Sequence, residues 1–203
     1  MLQFPKTSEF NKIMPKEAFY KNLTLSPDLK DKFVSNIKRI VWQNKLSATT
    51  LNIDKGAKVT EILVLVIELK KKAFEYKLLE AITRQNAHKI LFVLRYEASA
   101  QLAVYHNKIY MTGWLPQDDI TIEIKGLNLD KLWDNFVRQI AIDEQTVTNN
   151  NEQVSVETLL KEHEEKQKTQ REITALENKI KNTKQFNLQV KLKQELRKLK
   201  ERL

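Results

Sequence analysis

The sequence predicts an α+β fold, a mixed β-sheet flanked by helices and followed by a C-terminal helical hairpin or coiled coil. Three observations carry this. Apolar residues recur mostly with period two between Arg39 and Ile124, and a wide apolar stripe at helical spacing runs from Leu129 to Ile142. From Val154 to Leu203 there is no Gly, Pro or Trp, while Glu, Lys, Gln and Leu dominate. A chain of 203 residues holds one ordinary core of about 100 to 200 residues plus an appendage. The expected organisation is a globular domain over 1–145, a linker over 146–153 and a basic helical segment over 154–203.

Residues Pro15 to Leu23 and Ser26 to Ile37 read as short helices. In the second, Ser26 suits the N-cap, Pro27 the first helical position and Asp28 the first turn, where the positive end of the helix dipole favours an acid. Ile40 to Trp42 opens a strand, and Thr49 to Ile53, rich in β-branched residues, reads as a second. Asp54-Lys55-Gly56 is a turn signal. Glu61 to Lys70 (EILVLVIELK) is almost continuously apolar, as expected of a central strand covered on both faces.

Lys72 to Asn86 returns to helical period, with Phe74, Leu78, Ala81 and Ile82 on one side. Lys89 to Tyr96 is the next strand and Leu102 to Tyr105 its antiparallel neighbour. A strand, a helix and another apolar strand form a crossover unit, so the first two strands should be parallel. Ile109 to Met111 and Ile120 to Ile124 add short strands. Leu129 to Ile142 is then a helix whose Leu129, Leu132, Trp133, Phe136, Val137 and Ile140 make a core face.

Beyond the polar stretch at Asp143 to Gln153, Ile173, Leu176 and Ile180 form one heptad-like seam, and Leu188, Leu192, Leu196, Leu199 and Leu203 another. The seam fails at Thr183 and Asn187, which favours an antiparallel hairpin turning between Asn182 and Asn187 over the alternative of one continuous helix. Neither half buries enough apolar area to stand alone, so the seam residues Ile173, Leu176, Ile180, Leu188, Leu192, Leu196 and Leu199 must zip on each other, join a second copy or dock on a partner.

The net charge is +9. It is unevenly placed: Lys179 to Leu203 holds nine bases and two acids, while Asn151 to Asn178 holds four bases and seven acids. Lys184, Lys191, Lys193, Arg197, Lys198, Lys200 and Arg202 are therefore the candidate phosphate contacts, non-specific and steeply salt-dependent because each contact releases a counterion. No aromatic platform for stacking bases accompanies them, Phe186 being the one ring nearby.

Much chemistry is excluded. No Cys means no disulfide framework, no thiolate nucleophile and no Cys-bearing zinc site. Three Gly, at 56, 113 and 126, leave no G-x-G-x-x-G fingerprint, Walker A loop or nucleophile elbow. The longest apolar run, Ile62 to Ile67, is far short of the roughly 20 residues a bilayer needs, and MLQFPKTSEF lacks a signal-peptide core. No membrane contact, a cytoplasmic location and no cofactor are expected. The three His, at 88, 106 and 163, lie near no acid cluster, so no metal site is expected. Trp42, Trp114 and Trp133 read as core anchors.

One constellation suggests catalysis. Asp54, followed 14 residues later by Glu68-x-Lys70 at the end of a core strand, has the spacing of the PD-(D/E)xK nucleases, whose carboxylates hold Mg²⁺ while the Lys places the attacking water. Period two puts Glu68 and Lys70 on one face. A polar pair is also the ordinary way a buried strand emerges into water, and that plainer reading is favoured.

The P-K-x-A-F start at Pro15 to Phe19, the helix leading to Trp42, K-L-x-x-T-T-L-N-I at Lys45 to Ile53, the strand, helix and strand from Glu61 to Tyr96, and K-Q-F-N-x-Q-V-x-L-x-x-E-L-x-x-L at Lys184 to Leu199 together resemble the bacterial family catalogued as domain of unknown function 4391. The resemblance brings no reaction with it. It implies an accessory component of a restriction-modification or phage-defence locus, working beside a helicase or a DNA methyltransferase. In that family's pattern a hydroxyl residue often stands where this chain has Glu68, which counts against the nuclease. The expected function is thus a non-enzymatic accessory subunit that docks on such a partner and touches DNA through its last helix; the competing reading is the Mg²⁺-dependent nuclease.

Overall fold

The computed structural model describes residues 2–142, 154–183 and 185–201. The chain divides into two compact units, Met1–Thr146 and Val147–Leu203.

The first unit begins with a 3₁₀ turn (Lys6–Ser8) and then runs β1 (Glu9–Met14), α1 (Lys16–Asn22), α2 (Pro27–Asn36), β2 (Ile37–Ser47), α3 (Ala48–Leu51), β3 (Glu61–Leu69), α4 (Lys77–Arg84), β4 (Lys89–Tyr96), β5 (Ser99–His106), β6 (Lys108–Met111), β7 (Leu115–Pro116) and α5 (Leu129–Ala141). The strands form one sheet in the order β1-β2-β3-β4-β5-β6, with β7 also on β5. β3 and β4 are parallel and every other pair is antiparallel. This is the expected mixed α+β sheet, and the parallel pair falls where the crossover predicts it.

Each face of β3 has its own cover, which is why its sequence shows no alternation. Leu63, Leu65, Ile67 and Leu69 join Ile90, Phe92 and Leu94 of β4 in a core closed by Phe33 of α2 and by Leu78, Leu79 and Ile82 of α4. The alternate residues, Ile62, Val64 and Val66 with Leu91 and Val93, are buried on the opposite face, where α5 brings Leu132, Trp133, Phe136, Val137 and Ile140. Trp133 is buried, and Trp42 and Trp114 pack against the first core, so all three are anchors as expected. Ser26 caps α2, its hydroxyl accepting from Leu29 N–H at 3.4 Å.

Four local readings need correction. Thr49 to Ile53 is not a strand: Ser47 and Thr50 form a reciprocal capping box that starts a single helical turn, and Thr50 Oγ1 also donates to the Lys45 carbonyl at 2.9 Å. Ile120 to Ile124 alternates in burial but has no ladder partner. Its backbone pairs with α5 side chains, Glu123 N–H donating to Gln139 Oε1 at 2.8 Å and Glu123 O accepting from Asn135 and Gln139. α4 is shorter than Lys72 to Asn86, because Glu75 is held by Lys32 and Tyr76 O–H donates to Gln101. β1 lies outside every expected element. It is an exposed edge strand with an irregular register and Asn11 at φ 48°, so no period announces it.

In the second unit α6 (Val156–Asn182) and α7 (Phe186–Lys200) form the helical hairpin. Ser155 caps α6, accepting from Thr158 N–H at 3.2 Å. The connection falls inside the expected turn, Gln189 Nε2 donating back to the Thr183 carbonyl at 2.5 Å. Lys200 Nζ lies 2.8 Å from the Glu177 carboxylate, tying the end of α7 to α6.

Candidate nucleic-acid interface and the sheet-end carboxylate

The hairpin carries the most charge-biased surface. Ile173 and Leu192 are buried, and Leu176, Ile180, Leu196 and Leu199 are half-buried, so most of the seam is spent inside the unit. Leu188 remains exposed, as does Val190 on the other side of α7. At about 100° per residue, Leu188, Leu192, Leu196 and Leu199 fall within about 40° of one line along α7. Bases flank that line on both sides, Lys191 and Lys198 on one flank and Lys193, Arg197 and Lys200 on the other.

These bases are not equivalent. Arg197 pairs with Glu201 at 3.2 Å, and Lys200 with Glu177 at 2.8 Å. The Lys200 hydrogen bond, followed by the charges of Lys200 and Lys181, holds the Glu177 carboxyl below its usual pKa. Lys191, Lys193 and Lys198 are exposed and have no ion-pair partner among the described residues. Lys184, Arg202 and the expected 146–153 linker lie outside the described residues.

Asp54, Glu68 and Lys70 are not brought together. Asp54 is exposed in the loop before β3, its N–H donating to Leu127 O at 3.1 Å and its carbonyl accepting from Leu129 N–H at 3.3 Å, beside the start of α5. Glu68 lies at the far end of β3. Since Glu61, at the near end, pairs with Ser47, and a strand rises about 3.3 Å per residue, the two ends of β3 stand roughly 23 Å apart. Lys70 Nζ donates to the Val34 carbonyl at 3.0 Å, so it closes the C-terminal end of α2.

Glu68 belongs to a different arrangement. It is paired across the sheet with Arg39 on one side and Arg95 on the other. Arg39 donates to it through Nε and Nη2, and Lys38 approaches to 4.0 Å. Arg95 is half-buried. Burial, and then the Arg39 charge, lower its pKa against the opposing pull of Glu68. Sequence reasoning overlooked both arginines, although an Arg interrupting KILFVLRY inside a core strand is itself a signal, since burying a charge demands compensation.

Among the described residues no group of three or more His, Asp or Glu could hold a metal ion. His88 and His106 are half-buried rather than fully exposed, and His163 lies 2.8 Å from Gln167. No described helix is long and apolar enough to cross a membrane.

The family pattern described as Domain of unknown function (DUF4391) matches residues 2–203. The chain belongs to that family. Both units of this DUF4391 protein, the sheet domain and the hairpin, therefore lie within the family's extent. No curated protein and no solved structure matches it.

Proposed function

We infer that this DUF4391 protein is a non-enzymatic accessory subunit whose helical hairpin holds the phosphate backbone of DNA, without reading sequence, beside a helicase or DNA methyltransferase of a bacterial restriction-modification or anti-phage system. One observation carries the DNA contact: Lys191, Lys193 and Lys198 are exposed, lack ion-pair partners among the described residues and flank a single helix line. Bases freed from internal pairs are available to displace counterions, and contacts to phosphate position a protein without selecting bases. Because Ile173 and Leu192 are consumed inside the hairpin, its apolar seam is a poorer dock than its basic flanks. Partner docking then falls to the residues left exposed, Leu188 and Val190.

The test is fluorescence anisotropy of the full chain on a duplex of arbitrary sequence across a salt series. Three to five phosphate contacts give a slope of about −3 to −4.5 in log K against log salt, so affinity falls about 60- to 500-fold over a fourfold rise in salt. Reversing Lys191, Lys193 and Lys198 together to Glu should flatten the slope by about 3. A slope near zero, or one that the triple reversal leaves unchanged, overturns the reading.

A further inference from the structure

A second site lies on the sheet face that α5 covers only in part. α5 packs on β3, β5 and β6, and over β2 its place is taken by the N-terminal segment, where Phe4 meets Phe136 edge-on at 6.5 Å. Between that segment and the strands is a cleft of about 420 Å³, lined by residues of β1, β2, β3 and β4. That volume falls in the range of small-molecule sites, about 300 to 1,000 Å³.

The register makes the cleft polar at both ends and apolar between them. At one end stands the Arg39, Glu68 and Arg95 row. Lys38 and Arg39 already neutralise Glu68. Arg95 is left with a half-buried guanidinium that makes no hydrogen bond among the described residues and has five N–H donors to offer. The next row is Val41 beside Val66, an apolar floor, and Phe4 of the N-terminal segment lines the same cleft.

At the other end a bulge brings both Gln43 and Asn44 to the cleft, with Glu9 paired opposite Asn44. Asn44 is 2% exposed; its Nδ2 donates to Ser8 Oγ at 3.0 Å while its Oδ1 is buried with no partner. A buried acceptor left without a partner is destabilising, so it calls for an explanation. Gln43 is half-buried, and its amide also has no partner among the described residues. This end is rich in acceptors and carries the Glu9 charge.

The two ends are four β3 residues apart, from the Glu68 row to the Val64 row on which Asn44 is registered, about 13 Å along the strand. A fitting ligand has an anion at one end, a flat ring in the middle and N–H donors at the other end. We propose that the cleft binds a nucleoside monophosphate whose base carries an exocyclic amino group. The phosphate is received by Arg95 with Arg39, the base lies between the Val41 and Val66 floor and the Phe4 ring, and the amino group donates at the Glu9, Gln43 and Asn44 end. Glu68 is a positioning residue that holds the Arg39 guanidinium in the row beside Arg95.

Calorimetric titration of the full chain tests this, with AMP and CMP against IMP and UMP, which lack the amino donor, and with inorganic phosphate and a zwitterionic dipeptide as further probes. AMP or CMP should bind at least about tenfold more tightly than its amino-free counterpart. Arg95→Gln should weaken AMP by about tenfold or more, whereas Gln43→Leu should abolish the preference for AMP over IMP and leave phosphate binding unchanged. Reversing the three α7 lysines should leave AMP binding untouched, which separates this site from the DNA reading. The preference for amino-bearing bases is measured on the unaltered protein and so survives any variant that fails to fold. Equal binding of AMP and IMP, binding of phosphate or dipeptide alone, or no saturable binding of any nucleotide overturns the proposal.

Discussion

One carboxylate accepts from three successive N–H groups of the loop before β3, so Asp130→Ala should be among the most damaging single changes at the surface of the sheet domain. Asp130 lies in the first turn of α5, whose N-cap Asn128 accepts from Lys131 N–H at 2.9 Å. From there it accepts from Ala57 N–H at 2.7 Å, Lys58 N–H at 3.1 Å and Val59 N–H at 2.7 Å. A hydrogen bond to a charged group contributes about 1.5–3 kcal/mol when its loss leaves the partner dry. Only Val59 is buried, at 5% exposure, so it bears that full cost, while the exposed N–H groups of Ala57 and Lys58 regain water and lose about 0.5 kcal/mol each. Adding about 0.5 kcal/mol for the acid at the helix N-terminus gives a total of about 3 to 4.5 kcal/mol. For a domain of this size that is a fall in Tm of roughly 10 °C. Urea unfolding followed by Trp fluorescence reads it, since Trp133 sits in the same helix. Asp130→Glu, which keeps the charge but lengthens the reach, should recover part of the loss. A change below about 0.5 kcal/mol in Asp130→Ala, the ordinary surface value, would refute the assignment.

The same carboxylate sets an acid limit on stability. Burial works to raise the Asp130 pKa, but the N–H groups of Val59, Ala57 and Lys58 and the Lys58 charge outweigh it and hold the pKa low. Its contribution should therefore be complete above the unfolded value of about 3.9 and lost as pH falls through the lower folded value; wild type and Asp130→Ala should converge in stability there, and a constant gap down to the lowest pH would contradict this. Gly126→Ala should destabilise by about 1–3 kcal/mol or more, because φ is +152° and a Cβ would lie 2.6 Å from the backbone nitrogen of Leu132. Leu192→Ala should loosen the hairpin, seen as lost ellipticity at 222 nm and faster proteolysis of α7, with Leu188→Ala, already exposed, as the milder control. Lys70→Ala should cost under about 1 kcal/mol and leave DNA retention intact, since its ammonium is bonded to the carbonyl of exposed Val34.

Elements whose burial is simple were readable in the chain itself. β3 shows an unbroken apolar run because both faces are covered, and α5 shows one continuous stripe because it has a single buried side. Reading failed where side chains took over backbone bonding. Thr49-Thr50 has strand propensity, yet the Ser47 to Thr50 spacing is a capping-box pattern and decides for helix. ITIEI alternates as a strand should, and Ile120 and Ile122 are indeed buried, but Gln139 and Asn135 supply the bonds a neighbouring strand would have made. β1 is exposed along nearly its whole length, and exposed edges carry no period. The site was less readable than the fold for a related reason. Spacing along the chain placed Glu68 and Lys70 on one face, but it could not show that Arg39 and Arg95 arrive beside Glu68 from neighbouring strands.

Those neighbours decide what Glu68 is suited to do. A carboxylate that holds a divalent cation needs other acids around it, so that the net field at the metal is negative. Around Glu68 the charges are Arg39, Lys38 and Arg95, and Asp54 is at the other end of the strand. A cation would have to displace Arg39 and settle next to Arg95, at a cost that rises as the site dries. An anion meets the opposite situation, because three positive groups exceed one negative one and the least satisfied of them, Arg95, is the half-buried member. The residue that spacing marks as a metal ligand thus organises an anion-attracting row, and the sign of the field at the end of β3 follows from sheet register rather than from the motif along the chain.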